Sequence, residues 1–494
     1  MKVKLHPIII IGGLTLLGGL LRFYHLGYKS LWFDEAGLYW IARGRDIMEI
    51  ISLNAAGNSA PPLFPLLVNL ISKIGDSEAI LRSISFLAGT AAIPAVYFLC
   101  KQFLHRYTAY FCAFLVAISS SQVMYSQELR EYSVAFLLAT LILLFFNRFL
   151  REQNYKNLLY LALASIIGIF SQYGLALLIL ALNLIVAVEL FFINDKKKLL
   201  TGWAAIQFLV LCAAIVTYQL SLRHQMESGF GAGYLANAYW DGSLGSLIKL
   251  ATVNTYQFFA FASSASGLFC FIFFIGFLNE LKKRSDRTAL MLLIFPMVIT
   301  FIAACARLYP YLGRRQDIFL VPMIYVFAGF GFEFLSKLDL VQTRCLPKAD
   351  NASGQGKKRI IILPLVLILG FVGLYRTGEY LKDPGFQHIR PVIKTLSASF
   401  EPKDRMYIYY GANPAFRYYY RKNMDRRIYG VRSIEKPEKY LTQLDEALSK
   451  QGRIWMVFSH CHPNEPELIT QHTSKYRKVK LVSTSPGAFL YLAD

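Results

Sequence analysis

The chain has 494 residues, 55% of them hydrophobic, and a formal charge of +21 from 52 basic and 31 acidic residues. Its mean hydropathy of +0.41 is too high for a soluble enzyme, and its many long apolar runs imply a polytopic membrane protein. The basic residues fall mostly in short loops between those runs, which argues against a nucleic-acid-binding face and reads instead as a topology signal.

Lys2 and Lys4 precede an apolar run, as in a signal peptide. No small-residue cleavage site follows, so the segment is expected to remain as a helix. Apolar length predicts eleven spanning helices, near 7–24, 79–103, 107–124, 132–150, 156–172, 174–193, 199–220, 256–280, 288–306, 316–336 and 360–376, each with about the 17–25 residues a crossing needs. Pro61–Ile74 is shorter and opens with two prolines, which suits an interfacial or re-entrant helix. Counting it as a span would reverse every later loop. Without it, and with the N-terminus inside, the clusters His105-Arg106, Arg148 with Arg151, Lys196-Lys197-Lys198, Lys282-Lys283-Arg284 and Lys357-Lys358-Arg359 all fall inside, as the positive-inside rule requires. The C-terminal tail then lies outside. The Asn351 sequon lies inside and carries no weight.

Four outer loops follow from this topology. Loop 25–78 holds Asp34 and Glu35, and Tyr125–Glu131 holds Glu128, Arg130 and Glu131. Loop 221–255 is rich in Gly and Tyr. Arg307–Asp317 carries Arg307, Arg314 and Arg315 beside Tyr309 and Tyr311. Three arginines in a short outer loop run against the inside bias and suggest an anion to be held, the alternative being snorkelling anchors.

Residues 380–494 form a polar tail. Asp404–Gly411 and Arg453–Ser459 read as strands, Asn413–Arg421 and Lys436–Lys450 have helical spacing, and Lys478–Ser485 with Ala488–Leu492 reads as a closing strand pair. The expected fold is therefore an α-helical polytopic membrane domain, 1–379, followed by a small extracytoplasmic α/β domain, 380–494. The seven cysteines are scattered and support neither a disulfide framework nor a metal spacing. His460-Cys461-His462 follows a strand, but adjacent ligands without a second cluster read as a surface loop.

Chemistry centres on Leu31-Trp32-Phe33-Asp34-Glu35-Ala36. Two carboxylates at a bilayer edge are costly unless solvated, paired or used. The plain reading is a solvated loop whose Asp34 caps a short helix. The sharper reading is a base where membrane meets water. Arginine forks suit the phosphate of a long lipid, and a carboxylate beside them serves best by taking a proton from an incoming hydroxyl. The combined reaction is attack of an acceptor hydroxyl on the anomeric carbon of a lipid-phosphate sugar, with the arginines stabilising the departing phosphate.

The motifs resemble those of the GT-C integral-membrane glycosyltransferases, in the branch of protein O-mannosyltransferases and lipid A aminoarabinose and galacturonic acid transferases. The matching residues are Arg22, then Ser30–Ala36, then Ala60-Pro61-Pro62-Leu63-Phe64-Pro65, then Gly75–Arg82, then Tyr125–Tyr132, in order across roughly the first 150 residues. The resemblance implies Asp34 as catalytic base with Glu35 supporting it or meeting the acceptor. It implies Arg22 and Arg130 on the lipid phosphate, inversion at the anomeric carbon, and a polyprenyl-phosphate sugar rather than a nucleotide sugar as donor. Arg314 and Arg315 join the phosphate set by their charge and place. Where some relatives carry a further Asp beyond the second-loop arginine, this chain has Ser133, Val134 and Ala135, so a second acidic role falls to Glu128 or Glu131. No metal cofactor is expected. The acceptor is a lipid, glycan or protein hydroxyl, with no nucleic acid involved.

Plainer roles remain for several residues: Arg82 as a snorkelling anchor, Gln172 and Tyr173 as a helix junction, Glu131 as an ion-pair partner of Arg130. The competing functions are a flippase for lipid-linked sugars and an oligosaccharide polymerase or ligase. A flippase predicts internal repeats and charges at mid-membrane; no repeat is seen, and the interiors of the spans are almost free of Lys, Arg, Asp and Glu. The lack of outer sequons and retention signals points to a bacterial plasma membrane.

Overall fold

The computed structural model describes residues 6–192, 196–227, 235–283, 286–342, 362–422, 424–431, 438–449 and 451–494. Cys345, the Asn351 sequon, Arg284 and the Lys357-Lys358-Arg359 cluster lie outside the described residues. The apolar runs form helices. The first outer loop carries α2 (Phe33–Ala42), α3 (Ile47–Gly57), α4 (Leu63–Ser72) and α5 (Glu78–Leu81), preceded by α1 (Pro7–Phe23). Then come α6 (Ser83–Cys100), α7 (Arg106–Ile118), α8 (Ser120–Ser126), α9 (Tyr132–Glu152), α10 (Tyr155–Ser171), α11 (Gly174–Glu189) and α12 (Lys196–Thr217). The described residues of the 221–255 loop include α13 (Arg223–Glu227) and α14 (Leu244–Lys249). After it follow α15 (Thr255–Ala262), α16 (Ser266–Lys283), α17 (Arg287–Cys305), α18 (Val321–Gln342) and α19 (Ile362–Lys382).

Among the described residues six helices are long and apolar enough to cross a membrane singly, and the number is eight if each of two bent pairs is one span. Reaching the expected eleven requires α1, α10 and α11, which are apolar but only 17, 17 and 16 residues long. The predicted span 107–124 is α7 plus α8, bent by 57° at Ser119. The predicted span 256–280 is not one straight helix. It is α15 and α16, meeting at 104°. Serines explain that break. Ser263 Oγ accepts the Ala265 N–H at 3.3 Å and Ser264 bonds the Ser120 hydroxyl, so side chains take over where helical bonds stop.

The chain divides into two compact units. The first comprises 1–24, 46–67 and 82–381. Its core is an aromatic and aliphatic mass around Phe136, Phe146, Phe258, Phe319 and Tyr325, all buried. α16 and α18 cross glycine to glycine: a Cβ at Gly276 would strike the Phe327 carbonyl, and one at Gly331 the Ile272 carbonyl. Only 28% of the α12 window is buried, so its apolar surface faces outward, as lipid allows and water does not. Arg82 is 2% exposed, which overturns its reading as a snorkelling anchor.

The second unit comprises 25–45, 68–81 and 382–494, so part of the first outer loop belongs with the tail. The tail holds α20 (Arg390–Ser399), β1 (Arg405–Ile408), α21 (Asn413–Tyr419), β2 (Arg427–Tyr429), α22 (Glu438–Leu448), β3 (Ile454–Ser459), α23 (Glu465–Ser474), β4 (Val479–Ser485) and β5 (Ala488–Ala493). The sheet order is β2-β1-β3-β5-β4. β1 runs parallel to β2 and β3, and β5 antiparallel to β3 and β4. β3 is central and buried along its whole length, as its unbroken apolar run requires. The six elements expected in the tail are present, while α20, β2 and α23 are additions.

Candidate active site

In the second unit, Asp34 and Glu35 occupy the first turn of α2, where the helix dipole favours negative charge. Their roles differ. Glu35 is fully buried and its Oε2 turns back to accept the Trp32 N–H at 3.3 Å, so Glu35, not Asp34, is the capping carboxylate. That burial removes Glu35 from the reach of an acceptor. Asp34 is half-buried, next to Phe33.

The approach to α2 is fixed residue by residue. Leu31 donates its N–H to Tyr419 Oη at 2.8 Å, and Tyr419 donates to Glu78 Oε1 at 2.8 Å. Glu78 pairs with Arg390, whose backbone N–H bonds Ser30 Oγ at 3.2 Å. Burial, then the Glu78 charge, pushes the Tyr419 phenol up, so it stays a donor. Ser30 Oγ also lies 3.0 Å from His388 Nδ1. At the far end Asn69 caps the Ala42 carbonyl at 2.7 Å, Arg43 pairs with Asp76 at 2.6 Å, and Trp40 Nε1 donates to the Pro414 carbonyl at 2.9 Å. Tyr39 meets Tyr418 edge-on at 5.0 Å; burial, then Asp76, raises the Tyr39 phenol to about 12. A ten-residue helix is marginal alone. Here tertiary partners hold both ends.

In the first unit, Arg22 is fully buried in the last turn of α1. Its guanidinium donates to the Gly18 carbonyl (2.9 Å), the Val116 and Ala117 carbonyls (3.0 Å each) and Ser126 Oγ (3.1 Å). These are protein partners on every side, unlike a group held out for a lipid phosphate. Gln127 Nε2 covers the Arg22 and Tyr24 carbonyls at 3.0 and 2.6 Å, tying the second outer loop to the end of α1.

Arg130 and Arg315 converge. Their Cζ atoms lie 5.5 and 5.6 Å from the centroid of the same Tyr132 ring. Arg130 is 6% exposed and pairs with Glu131, Nε to Oε2 at 3.2 Å, so the plain reading of Glu131 as its partner holds. Tyr125 packs edge-on against Tyr132 at 5.1 Å and lies in the field of Glu128, Arg315 and Arg314. Arg314 itself is solvent-exposed. Two guanidiniums thus approach one aromatic ring, and guanidinium forks match phosphate oxygens.

The loop that delivers Arg314 and Arg315 is pinned from several sides. Asp317 is fully buried, and its Oδ2 accepts the Leu312 and Gly313 N–H groups at 2.7 and 2.9 Å. Gly313 sits at φ +66, with the Asn254 carbonyl where a Cβ would be. Tyr309 donates to the Gln316 carbonyl at 2.7 Å, and Gln172 to the same carbonyl at 2.9 Å. Burial, then the Asp317 carboxylate, keeps the Tyr309 phenol well above its usual pKa. Gln172 and Tyr173 do mark a helix junction: Gln172 caps α10, and Tyr173 donates to Gln225 Oε1 at 2.9 Å. Sequence reasoning did not assign Tyr132, Asp317 or Gly313. The signal was present only as a Gly and an Asp flanking the arginines.

His460 stacks flat on Phe33. Among the described residues no three His, Cys, Asp or Glu side chains gather as a metal would need.

Residues 59–221 match the family model described as dolichyl-phosphate-mannose-protein mannosyltransferase. The fold is similar to that of ArnT from Cupriavidus metallidurans bound to undecaprenyl phosphate, with a TM-score of 0.61 at 12% identity over 98% of this chain and 97% of that one. It is also similar to the oligosaccharyltransferase AglB from Archaeoglobus fulgidus in complex with an inhibitory peptide and a dolichol-phosphate, with a TM-score of 0.53 at 12% identity over 99% of this chain and 74% of that one. A comparison with curated proteins finds no match. The fold is thus that of the GT-C membrane glycosyltransferases, and with the family match it supports a membrane glycosyltransferase.

Proposed function

We propose that the chain transfers a sugar from a polyprenyl-phosphate donor to an acceptor hydroxyl at the outer face of the membrane, with inversion. The observation that carries the reading is the convergence of Arg130 and Arg315 on Tyr132 from loops far apart in sequence. Two relatives of similar fold hold a polyprenyl or dolichol phosphate. In the proposed step Asp34 takes the acceptor hydroxyl proton as its oxygen bonds the anomeric carbon. The bond from that carbon to the phosphate oxygen breaks, and the lipid phosphate leaves with both electrons, neutralised by Arg130 and Arg315. Arg314, exposed beside them, extends the patch toward the incoming donor. Glu128 and Glu131 tune the patch, Glu131 by holding Arg130 in place. Arg22 pins helices rather than substrate. The arginines supply the positive charge a metal would otherwise bring, so the proposed step uses no metal ion, and a chelator is expected to leave the rate unchanged.

The test is transfer from radiolabelled polyprenyl-phosphate sugars to endogenous acceptors in membranes, comparing wild type with Asp34→Asn at matched expression. Loss of transfer with donor binding retained supports the base at Asp34. Equal transfer in both removes Asp34 from the chemistry. Donor movement across the bilayer without transfer from any donor turns the reading to a flippase. Protease digestion of intact cells, which should remove the 380–494 domain, checks that it lies outside.

A further inference from the structure

We propose that Gln387 and His460 are positioning residues for Asp34, so that the C-terminal domain takes part in the transfer step by fixing the carboxylate helix. The inference rests on the reading of Asp34 as base. A helix leaves its first N–H groups without intrahelical partners, and at α2 one of these sits beside the carboxylate. Phe33 donates its N–H to Gln387 Oε1 at 3.0 Å. With that oxygen used, the Gln387 amide turns Nε2 toward His460 Nδ1 at 2.6 Å. An amide nitrogen only donates, so Nδ1 accepts and the ring proton resides on Nε2. The His460 ring then lies flat on the Phe33 ring, with centroids 4.4 Å apart and planes within 6°. Backbone and side chain of the residue immediately before Asp34 are thus held by one two-residue bracket.

The bracket is itself built in. His460 adopts φ +52, the left-handed region that a non-glycine residue enters only when its surroundings impose it. A Cβ at Gly411 would come 2.6 Å from the His460 carbonyl oxygen, so the chain is glycine where it must pass beneath. Trp32 packs on Phe386, one residue before Gln387, at 5.3 Å between centroids. His462, two residues on in the same His-Cys-His sequence, is exposed and outside the bracket. The motif that resembled a metal site therefore works through its first histidine, by stacking and one hydrogen bond. Phe33 and Asp34 are consecutive in one helical turn, so any tilt at Phe33 displaces the Asp34 carboxylate directly. A misplacement of about 1 Å at a reacting group costs on the order of 10²-fold in rate.

The experiment uses the purified full-length enzyme with a polyprenyl-phosphate sugar. It measures kcat, donor KM and thermal midpoint for Gln387→Leu, His460→Ala, His460→Phe, His462→Ala and Asp34→Asn. Gln387→Leu and His460→Ala should lower kcat per folded molecule on the order of 10- to 10²-fold with donor KM near wild type. His460→Phe keeps the stack and loses the acceptor, so its kcat should fall between those values and wild type. His462→Ala should match wild type. If Asp34→Asn is inactive while Gln387→Leu and His460→Phe keep wild-type kcat, the inference falls and the base assignment stands. If Asp34→Asn retains full activity, the base assignment falls and takes the inference with it. A kcat loss that tracks only the folded fraction also overturns the inference. Should His460→Ala fail to fold, Gln387→Leu and His460→Phe decide the matter alone.

Discussion

Replacing Arg22 by methionine should cost the first unit roughly 3–6 kcal/mol. α7 ends at Ile118 and the chain bends at Ser119, so the last carbonyls of α7 have no helical N–H ahead of them. Arg22 fills two of these, at Val116 and Ala117, and Thr377 Oγ1 fills a third at Ile118 at 2.8 Å. A positive group at a helix C-terminus also suits the dipole. Each hydrogen bond from a charged donor is worth about 1.5–3 kcal/mol net, and the two to α7 have no replacement in methionine. The Gly18 carbonyl and Ser126 retain helical partners, so they are not counted. The assay is thermal unfolding of the detergent-solubilised enzyme, where the loss should appear as a fall of roughly 10 °C. Arg22→Lys keeps the charge but not the planar fork, and should lose about half as much. The alternative, that Arg22 holds the lipid phosphate, makes the opposite forecast: Arg22→Lys and Arg22→Met would melt like wild type and show a raised donor KM. That result would refute the pinning argument.

Arg315→Ala removes one guanidinium from the Tyr132 ring and should lower kcat/KM about 30-fold, about 2 kcal/mol of charge-assisted bonding, with the melting midpoint preserved; an unchanged kcat/KM would detach Arg315 from the donor. Gly313→Ala places a Cβ against the Asn254 carbonyl at a positive φ, so it should disorganise the arginine loop and lower kcat/KM at least as far as Arg315→Ala, measured in the same assay. Burial, then the Arg390 charge, holds His388 below its usual 6.5. Below that value the unfolded chain binds a proton that the folded unit resists, so stability of the second unit should fall as pH drops through the usual histidine range. Melting curves from about pH 7.5 to 5.5 should show that slope, and His388→Asn should flatten it.

Helices and their order were legible because apolar length and loop charge act locally. The breaks were partly legible too. Ser119-Ser120-Ser121 and Ser263-Ser264 interrupt apolar runs with residues whose hydroxyls compete for backbone groups, and both sites bend. The tail's α20 and α23 were harder. Glu465–Ser474 has low apolar content and buries only Pro466, Ile469 and Thr473. β2 is three residues long, below what alternation can register.

Side-chain fate was the least legible feature, because it depends on partners distant in sequence. The plain reading made Asp34 the helix cap, yet it is Glu35 that accepts the Trp32 N–H. The arginines show the same split more sharply. The resemblance put Arg22 and Arg130 on the phosphate, and charge and place added Arg314 and Arg315. What separates them is the acceptor each N–H finds. Arg22 meets three carbonyls and a hydroxyl at helix ends, and releasing it to a phosphate would leave buried acceptors stranded. Arg130 and Arg315 instead bring their Cζ atoms to 5.5 and 5.6 Å from one tyrosine ring, and Arg130 also pairs with Glu131. On the proposed reading the donor phosphate is met at Tyr132, where two guanidiniums approach one ring, and Arg22 belongs to the scaffold at the helix ends.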